Sequence, residues 1–185
     1  VELFSFIKEY VTNPRAVGAV LPSSKYLAKK MIGQIDFKNA SYIIEYGPGT
    51  GVITEQLLKN RREGTIIILF ESNLRFFNLL KQKYQHEPEF HLINDSAENL
   101  EEYMISLNIP WLDYIVSGLP IASLHQQVSF NILTLTKRHL RQGGKFITFQ
   151  YTLLKKDLIG KYFRKVEIQR ELRNIPPAYI FSCNV

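Results

Sequence analysis

The sequence predicts an α/β sandwich. It should hold a mostly parallel sheet of about seven strands with an antiparallel last pair, and a helical cap should sit at the N-terminus. Three observations predict it. From residue 41 onward, short apolar runs alternate with longer amphipathic stretches. The apolar runs lack in/out alternation, as strands buried on both faces do. The last two runs are separated only by "RNIPP". That link is too short for a parallel crossover, so the final pair should be antiparallel.

In chain order, "VELFSFIKEYV" places Leu3, Phe6, Ile7 and Tyr10 at helical spacing. "TNPR" ends that helix, because Pro14 disfavours helical geometry at Asn13. "PSSKYLAKKMIGQI" reads as a second helix capped by Ser23 or Ser24, with Leu27, Ala28, Met31 and Ile35 on one side. Strands are expected at 42–46, 65–70, 90–94, 113–117 and 145–151, with helical stretches near 51–60, 72–84, 97–108 and 123–141 between them. "KVEIQREL" at 165–172 and "AYIFSCNV" at 178–185 form the terminal pair.

Composition narrows the function classes. A chain of 185 residues with 45% hydrophobic content fits one globular domain with a substantial core. The single cysteine, Cys183, cannot form an internal disulfide, and no Cys/His spacing suggests zinc or another metal. A reducing, cytoplasmic compartment is the natural expectation. No apolar run approaches the roughly 18 residues needed to span a bilayer, and the N-terminus does not read as a signal peptide. The chain starts at Val1, so residues could precede it. The net charge of +6 is uneven: residues 1–40 carry +3, 41–136 carry −5 and 137–185 carry +8. Basic flanks favour a polyanion, either RNA phosphates or anionic lipid, or else form a solvated surface. Nothing points to an obligate protein partner.

The chemistry-bearing motifs fall at expected strand tips. In "IIEYGPGTGVIT", Gly47, Gly49 and Gly51 let the backbone approach a ligand closely, and Glu45 can accept hydrogen bonds from a cationic or hydroxyl group. Glu71 ends the second strand, about 20 residues past the glycines, where a carboxylate suits a ribose diol. Asp95 follows the third strand, where it could meet an adenine amino edge or cap the next helix. Three such tips together favour a nucleoside-bearing ligand, because ligands of open α/β sheets bind at the carboxyl ends of the strands. After the fourth strand, "DYIVSGLPIAS" makes a stiff Gly-Leu-Pro corner.

Glu-x-Gly-x-Gly-x-Gly, with Glu71, Asp95 and the loop after strand four, resembles the class I S-adenosylmethionine-dependent methyltransferases over residues 41–185. The resemblance implies a Rossmann-like sandwich that uses S-adenosyl-L-methionine and releases S-adenosylhomocysteine. It implies that Glu45, Tyr46, Gly47, Gly49, Thr50 and Gly51 cradle the methionine part. Glu71 with Ser72 would take the ribose, Asp95, Ser96 and Ala97 the adenine, and Ser117 would border the cofactor. The loop Ser117-Gly118-Leu119-Pro120-Ile121 is similar to the Asn-Leu/Ile-Pro-Tyr/Phe loop of rRNA adenine dimethyltransferases. It keeps the backbone part and replaces the stacking aromatic by Ile121.

"FIKEYVTNPRAVGAVLPSSKYLAKKM", with "IVSGLP" and "IPPAYIF", is similar to the bacterial phospholipid N-methyltransferases. That resemblance implies methylation of phosphatidylethanolamine-type lipids by a cytoplasmic enzyme, peripheral at an anionic membrane surface. Residues 1–40 would form the cap facing acceptor or membrane, and 41–185 the cofactor domain. Ser117, Gly118, Leu119 and Pro120 would hold the acceptor nitrogen, Tyr10 or Tyr46 would stand near it, and His125 could act as base or lie on a helix face. Methylation of an rRNA adenine is the alternative. A non-catalytic cofactor- or nucleoside-binding protein is a second one.

Overall fold

The structure, a computed structural model, describes residues 23–185. The expected first helix and Tyr10 lie outside the described residues. Helix α1 (Lys25–Ile32) starts where expected: the Ser24 hydroxyl accepts the Leu27 N–H at 3.1 Å. It buries Leu27, Ala28, Met31 and Ile32, a single helical face.

The remaining elements are β1 (Tyr42–Tyr46), α2 (Val52–Asn60), β2 (Ile66–Phe70), α3 (Leu74–Tyr84), β3 (Phe90–Ile93), a 3-10 turn (Ala97–Asn99), α4 (Leu100–Ser106), β4 (Leu112–Ser117), α5 (Gln126–His139), β5 (Leu140–Gln150), α6 (Lys156–Gly160), β6 (Lys165–Glu171) and β7 (Ala178–Asn184). They form one seven-stranded sheet in the order β3-β2-β1-β4-β5-β7-β6. The first five strands are parallel, and β7 runs antiparallel to both β5 and β6. The fold is therefore the Rossmann-like sandwich that the sequence predicts.

The pleat of each strand sends alternate side chains into two cores. Ile44, Tyr46, Ile68, Phe70, Ile115 and Phe146 face α4 and α5. Ile43, Ile67, Leu69, Val116 and Ile147 face α1, α2 and α3. Burial on both faces explains why the runs read as unbroken apolar stretches. The outermost strand β6 alternates exposed and half-buried residues, and its charges keep that edge from pairing further.

Two boundaries differ from expectation. Helix α5 starts at Gln126, because Pro120 to Leu124 is spent on a turn in which the Ser123 and Leu124 N–H groups both donate to the Pro120 carbonyl. Strand β5 starts five residues early, because Leu140 is buried and pairs with Leu112 across a register shift. Asp113, at the entry of β4, is structural. Its carboxylate accepts the Ser41 and Tyr42 N–H groups at 2.8 and 2.9 Å and is paired with Arg141. It ties β1 to β4 at the edge opposite the functional loops.

Candidate active site

All five parallel strands end on one edge of the sheet, which brings the loops after β1, β2, β3, β4 and β5 together there. The turn after β1 is built by backbone geometry that side chains resist. Gly49 has φ 56°, and a Cβ placed on it would stand in open space, so a ligand can lie against its backbone. The β1 and β4 loops interlock. The Gly118 N–H donates to the Tyr46 carbonyl at 2.8 Å, and a Cβ on Gly118 would come within 2.6 Å of the Gly47 oxygen. Leu119 packs back over Gly47, where an added Cβ would meet its Cδ2 at 2.7 Å.

The three acids have distinct environments. Glu45 is fully buried. One carboxylate oxygen accepts the Thr54 hydroxyl at 2.6 Å, and Oε1 has no partner among the described residues. Burial pushes its carboxyl up to about 8, opposed by the Thr54 hydrogen bond. A cation placed beside Oε1 would both satisfy the oxygen and ionise the group. Glu71, at the tip of β2, accepts the Gly49 N–H at 2.9 Å and the Asn73 N–H at 2.8 Å, one on each oxygen. Burial raises its carboxyl and these two donors lower it. Each oxygen keeps a lone pair for a hydroxyl-bearing ligand. Asp95 braces the next turn instead. Its oxygens accept from the Asn99 amide, the Ser96 N–H and the Tyr103 hydroxyl, which hold it below the usual carboxylate range. Ser96 itself caps the 3-10 turn through the Glu98 N–H.

The loop after β4 is saturated with its own hydrogen bonds. The Ser117 hydroxyl is buried and accepts the Leu119 N–H at 3.1 Å. The Leu119 carbonyl accepts both the Ile121 N–H at 2.9 Å and Gln150 Nε2 at 3.1 Å. Gln150 Oε1 in turn accepts the Ala122 N–H at 3.1 Å. An open cleft of about 380 Å³, solvent space included, lies between this loop and the end of β5.

The structure gathers Glu45, Gly47, Gly49, Thr50, Gly51, Glu71, Ser72, Asp95, Ser96, Ser117, Gly118, Leu119 and Pro120 along this edge. The Tyr46 and Ala97 side chains stand elsewhere than expected. The Tyr46 ring is fully buried against Phe70 and hydrogen-bonded to Thr136, because alternation along β1 turns it into the core. Only its backbone serves the loops. The Ala97 methyl is core, and Ile121 is fully buried there too. His125 is exposed and caps α5, with Nδ1 accepting the Gln127 N–H at 3.4 Å. Sequence reasoning did not single out Thr54, Asn73 or Gln150, which hydrogen-bond Glu45, Glu71 and the loop after β4. Gln150 had a visible signal, as a lone amide ending the apolar strand "KFITFQ".

Comparison with known proteins places this geometry among methyl-transferring folds. Residues 20–137 match the family model described as ribosomal RNA adenine dimethylase. The chain is similar to the ornithine lipid N-methyltransferase of Singulisphaera acidiphila, at 26% identity over 184 residues, covering 98% of this chain and 95% of that one. It is also similar to ribosomal RNA small subunit methyltransferase A of Dehalococcoides mccartyi, at 34% identity over 98 residues, or 52% of this chain and 32% of that one. Among solved structures, precorrin-6y C5,15-methyltransferase from Geobacter metallireducens superposes with a TM-score of 0.71 at 12% identity, over 93% of this chain and 95% of that one. That last likeness concerns the fold.

Proposed function

Because the chain belongs to the ribosomal RNA adenine dimethylase family and is an S-adenosylmethionine-dependent methyltransferase, we propose that it methylates the amino group of a membrane lipid headgroup, of the phosphatidylethanolamine or ornithine-lipid type. The observation that carries this reading is the end-to-end match to a lipid N-methyltransferase, against a match to one third of the length of the rRNA relative.

Two features of the acceptor loop support it. Gly118 stands where the rRNA-type loop carries asparagine, and any Cβ there would press on the Gly47 oxygen at 2.6 Å. Ile121 stands where that loop carries an aromatic, and it is buried in the core instead of offered to a base. The basic segment 137–185 suits an anionic surface. Among the described residues no helix is long and apolar enough to cross a membrane. The attachment proposed is peripheral.

The residues fit the cofactor. The unpartnered Glu45 Oε1 suits its cationic methionyl end, the open face of Gly49 leaves room for that end, and Glu71 keeps lone pairs for a ribose diol. When bound, S-adenosylmethionine supplies a methyl group already activated by its sulfonium. The chain then has to align the acceptor and exclude water. The acceptor nitrogen would have to be presented as the free amine, and transfer of the methyl would leave S-adenosylhomocysteine and one proton.

An adenine amino group of ribosomal RNA is the second reading, favoured by the family model and by the 34% identity over 98 residues. Transfer of labelled methyl from S-adenosylmethionine separates them. The expected result is label in phosphatidylethanolamine or ornithine lipid vesicles and none in ribosomal RNA. Label in RNA alone overturns the lipid reading.

A further inference from the structure

We propose that the edge carrying the candidate site docks on an anionic bilayer through two loop tips: Leu153 with Leu154 after β5, and Leu172 with Ile175 between β6 and β7. This rests on the reading of the acceptor as a membrane lipid and adds the surface that meets the membrane.

The β6–β7 loop inverts the usual order of burial. Its polar side chains Glu171 and Asn174 are buried, whereas Leu172 is 64% and Ile175 68% exposed. The polar pair holds the loop in shape. Glu171 accepts the Arg173 N–H at 2.9 Å and its Nε–H at 3.0 Å. Asn174 accepts the Ser24 N–H at 2.9 Å and donates to the Pro176 carbonyl at 2.7 Å. These bonds fix a turn that leaves two aliphatic side chains in the open. A second apolar tip stands next to it. Gln150 pairs with Tyr179 and Glu171 with Ala178, so the loops after β5 and β6 leave the same edge of the sheet. The Tyr151 hydroxyl interacts with the Asn174 side chain. Leu153, two residues on, is exposed, and Leu154 is 84% exposed. Large aliphatic side chains gathered in the open on one edge mark an interaction site.

Charge names the occupant. Residues 151–156 and 170–177 hold four cations, Lys155, Lys156, Arg170 and Arg173, and one acid, Glu171. That acid is already paired with Arg173 and Lys30. Lys25 and Lys29 on the neighbouring helix α1 are exposed as well. Apolar tips in a basic collar suit a bilayer, where aliphatic groups enter the acyl boundary and cations meet lipid phosphates. An RNA would use the collar and leave the leucines in water. Tyr151 also lines the cleft beside Gly118 and Pro120, so docking brings that cleft to the headgroup layer.

The test uses the whole chain, vesicles of phosphatidylglycerol, phosphatidylethanolamine and phosphatidylcholine, and labelled S-adenosylmethionine. Leu154→Gln, Leu172→Gln and Ile175→Gln combined should weaken vesicle flotation about tenfold or more, at low and high salt alike. All three side chains are exposed, so cofactor Kd should stay within about twofold of the parent. Lys155→Gln with Lys156→Gln should weaken binding about fivefold per lysine at low salt, and the difference should fade at high salt. Methylation of vesicle phosphatidylethanolamine should fall in step. Methylation of dispersed short-chain phosphatidylethanolamine should hold at the parent rate, because it needs no docking.

Flotation and vesicle methylation unmoved by the triple variant overturn the docking surface and leave the lipid reading standing. Equal losses on vesicles and on dispersed lipid place the loops in the reaction itself and overturn docking. A parent dimer that becomes monomeric in the triple variant, with flotation unmoved, gives the loops to a second copy of the chain and overturns it too. Label in RNA alone sinks the lipid reading, and flotation then decides the docking surface by itself.

Discussion

The buried carboxyl of Glu45 makes a prediction that stability and cofactor binding test together. In the folded protein its pKa is raised from 4.5 to about 8, chiefly by burial. The folded state therefore holds a proton that the unfolded chain releases above about pH 4.5. Stability of the ligand-free protein should be highest below that value, fall as pH rises, and level off above about 8. At roughly 1.4 kcal/mol per pH unit, the loss attributable to this group reaches on the order of 3 kcal/mol at neutral pH. Glu45→Gln keeps the shape, and its amide can still accept from the Thr54 hydroxyl, so the difference between parent and variant isolates the titration. Urea unfolding of both proteins at intervals from pH 5 to 8.5 should show the variant gaining on the parent as pH rises. Cofactor binding should run the other way. A cation beside Oε1 needs the ionised carboxylate, so the parent should bind more tightly as pH rises towards 8, with proton release in the calorimeter. Glu45→Gln should bind weakly with little pH dependence. A difference in unfolding free energy that is flat across this range would refute the reasoning.

Three further outcomes are expected. Gly118→Ala drives a methyl to 2.6 Å from the Gly47 oxygen; it should cost about 1–3 kcal/mol in unfolding free energy and depress both cofactor affinity and kcat, since both loops must shift. Glu71→Gln keeps an oxygen for only one of the Gly49 and Asn73 N–H groups and turns an amide nitrogen to the other, and calorimetry should show cofactor binding weakened about tenfold or more. Asp113→Ala leaves the Ser41 and Tyr42 N–H groups without their acceptor; it should cost roughly 2–4 kcal/mol of stability and leave the cofactor Kd of the folded protein unchanged, because it acts at the opposite edge.

The strand pattern was legible because burial on both faces leaves a plain mark: "YIIEY", "TIIILF" and "DYIVS" each emerge as a strand within two residues of the expected bounds. The antiparallel ending followed from the shortness of "RNIPP" alone. The start of α5 was not legible: the helix was expected from residue 123, and Ser123 and Leu124 are instead drawn into a turn on the Pro120 carbonyl. At the site, glycines and strand-tip acids announced themselves by residue type. Which face each neighbour takes did not. Tyr46 follows Glu45 directly, and strand alternation sends the carboxylate to one core and the ring to the other. Gln150 reaches the loop after β4 because β5 pairs beside β4, a long-range pairing that no local pattern records. Ser117 and Leu119 were read on the loop after β4, but their engagement with each other is a matter of distances.

The contact of Gly47 with Gly118 also bears on how the protein folds. After β1 the chain moves outward through β2 and β3, then crosses back to lay β4 on the other flank of β1. The two halves of the site are thus separated by two complete strand–helix units, and the glycines meet only when the late-arriving strand docks. Such a pairing is slow to form, since distant segments must be ordered before any contact rewards them. A chain interrupted before β4 would carry the whole glycine turn and no working site. Methyl transfer by this protein is therefore a report that the middle of its sheet has closed.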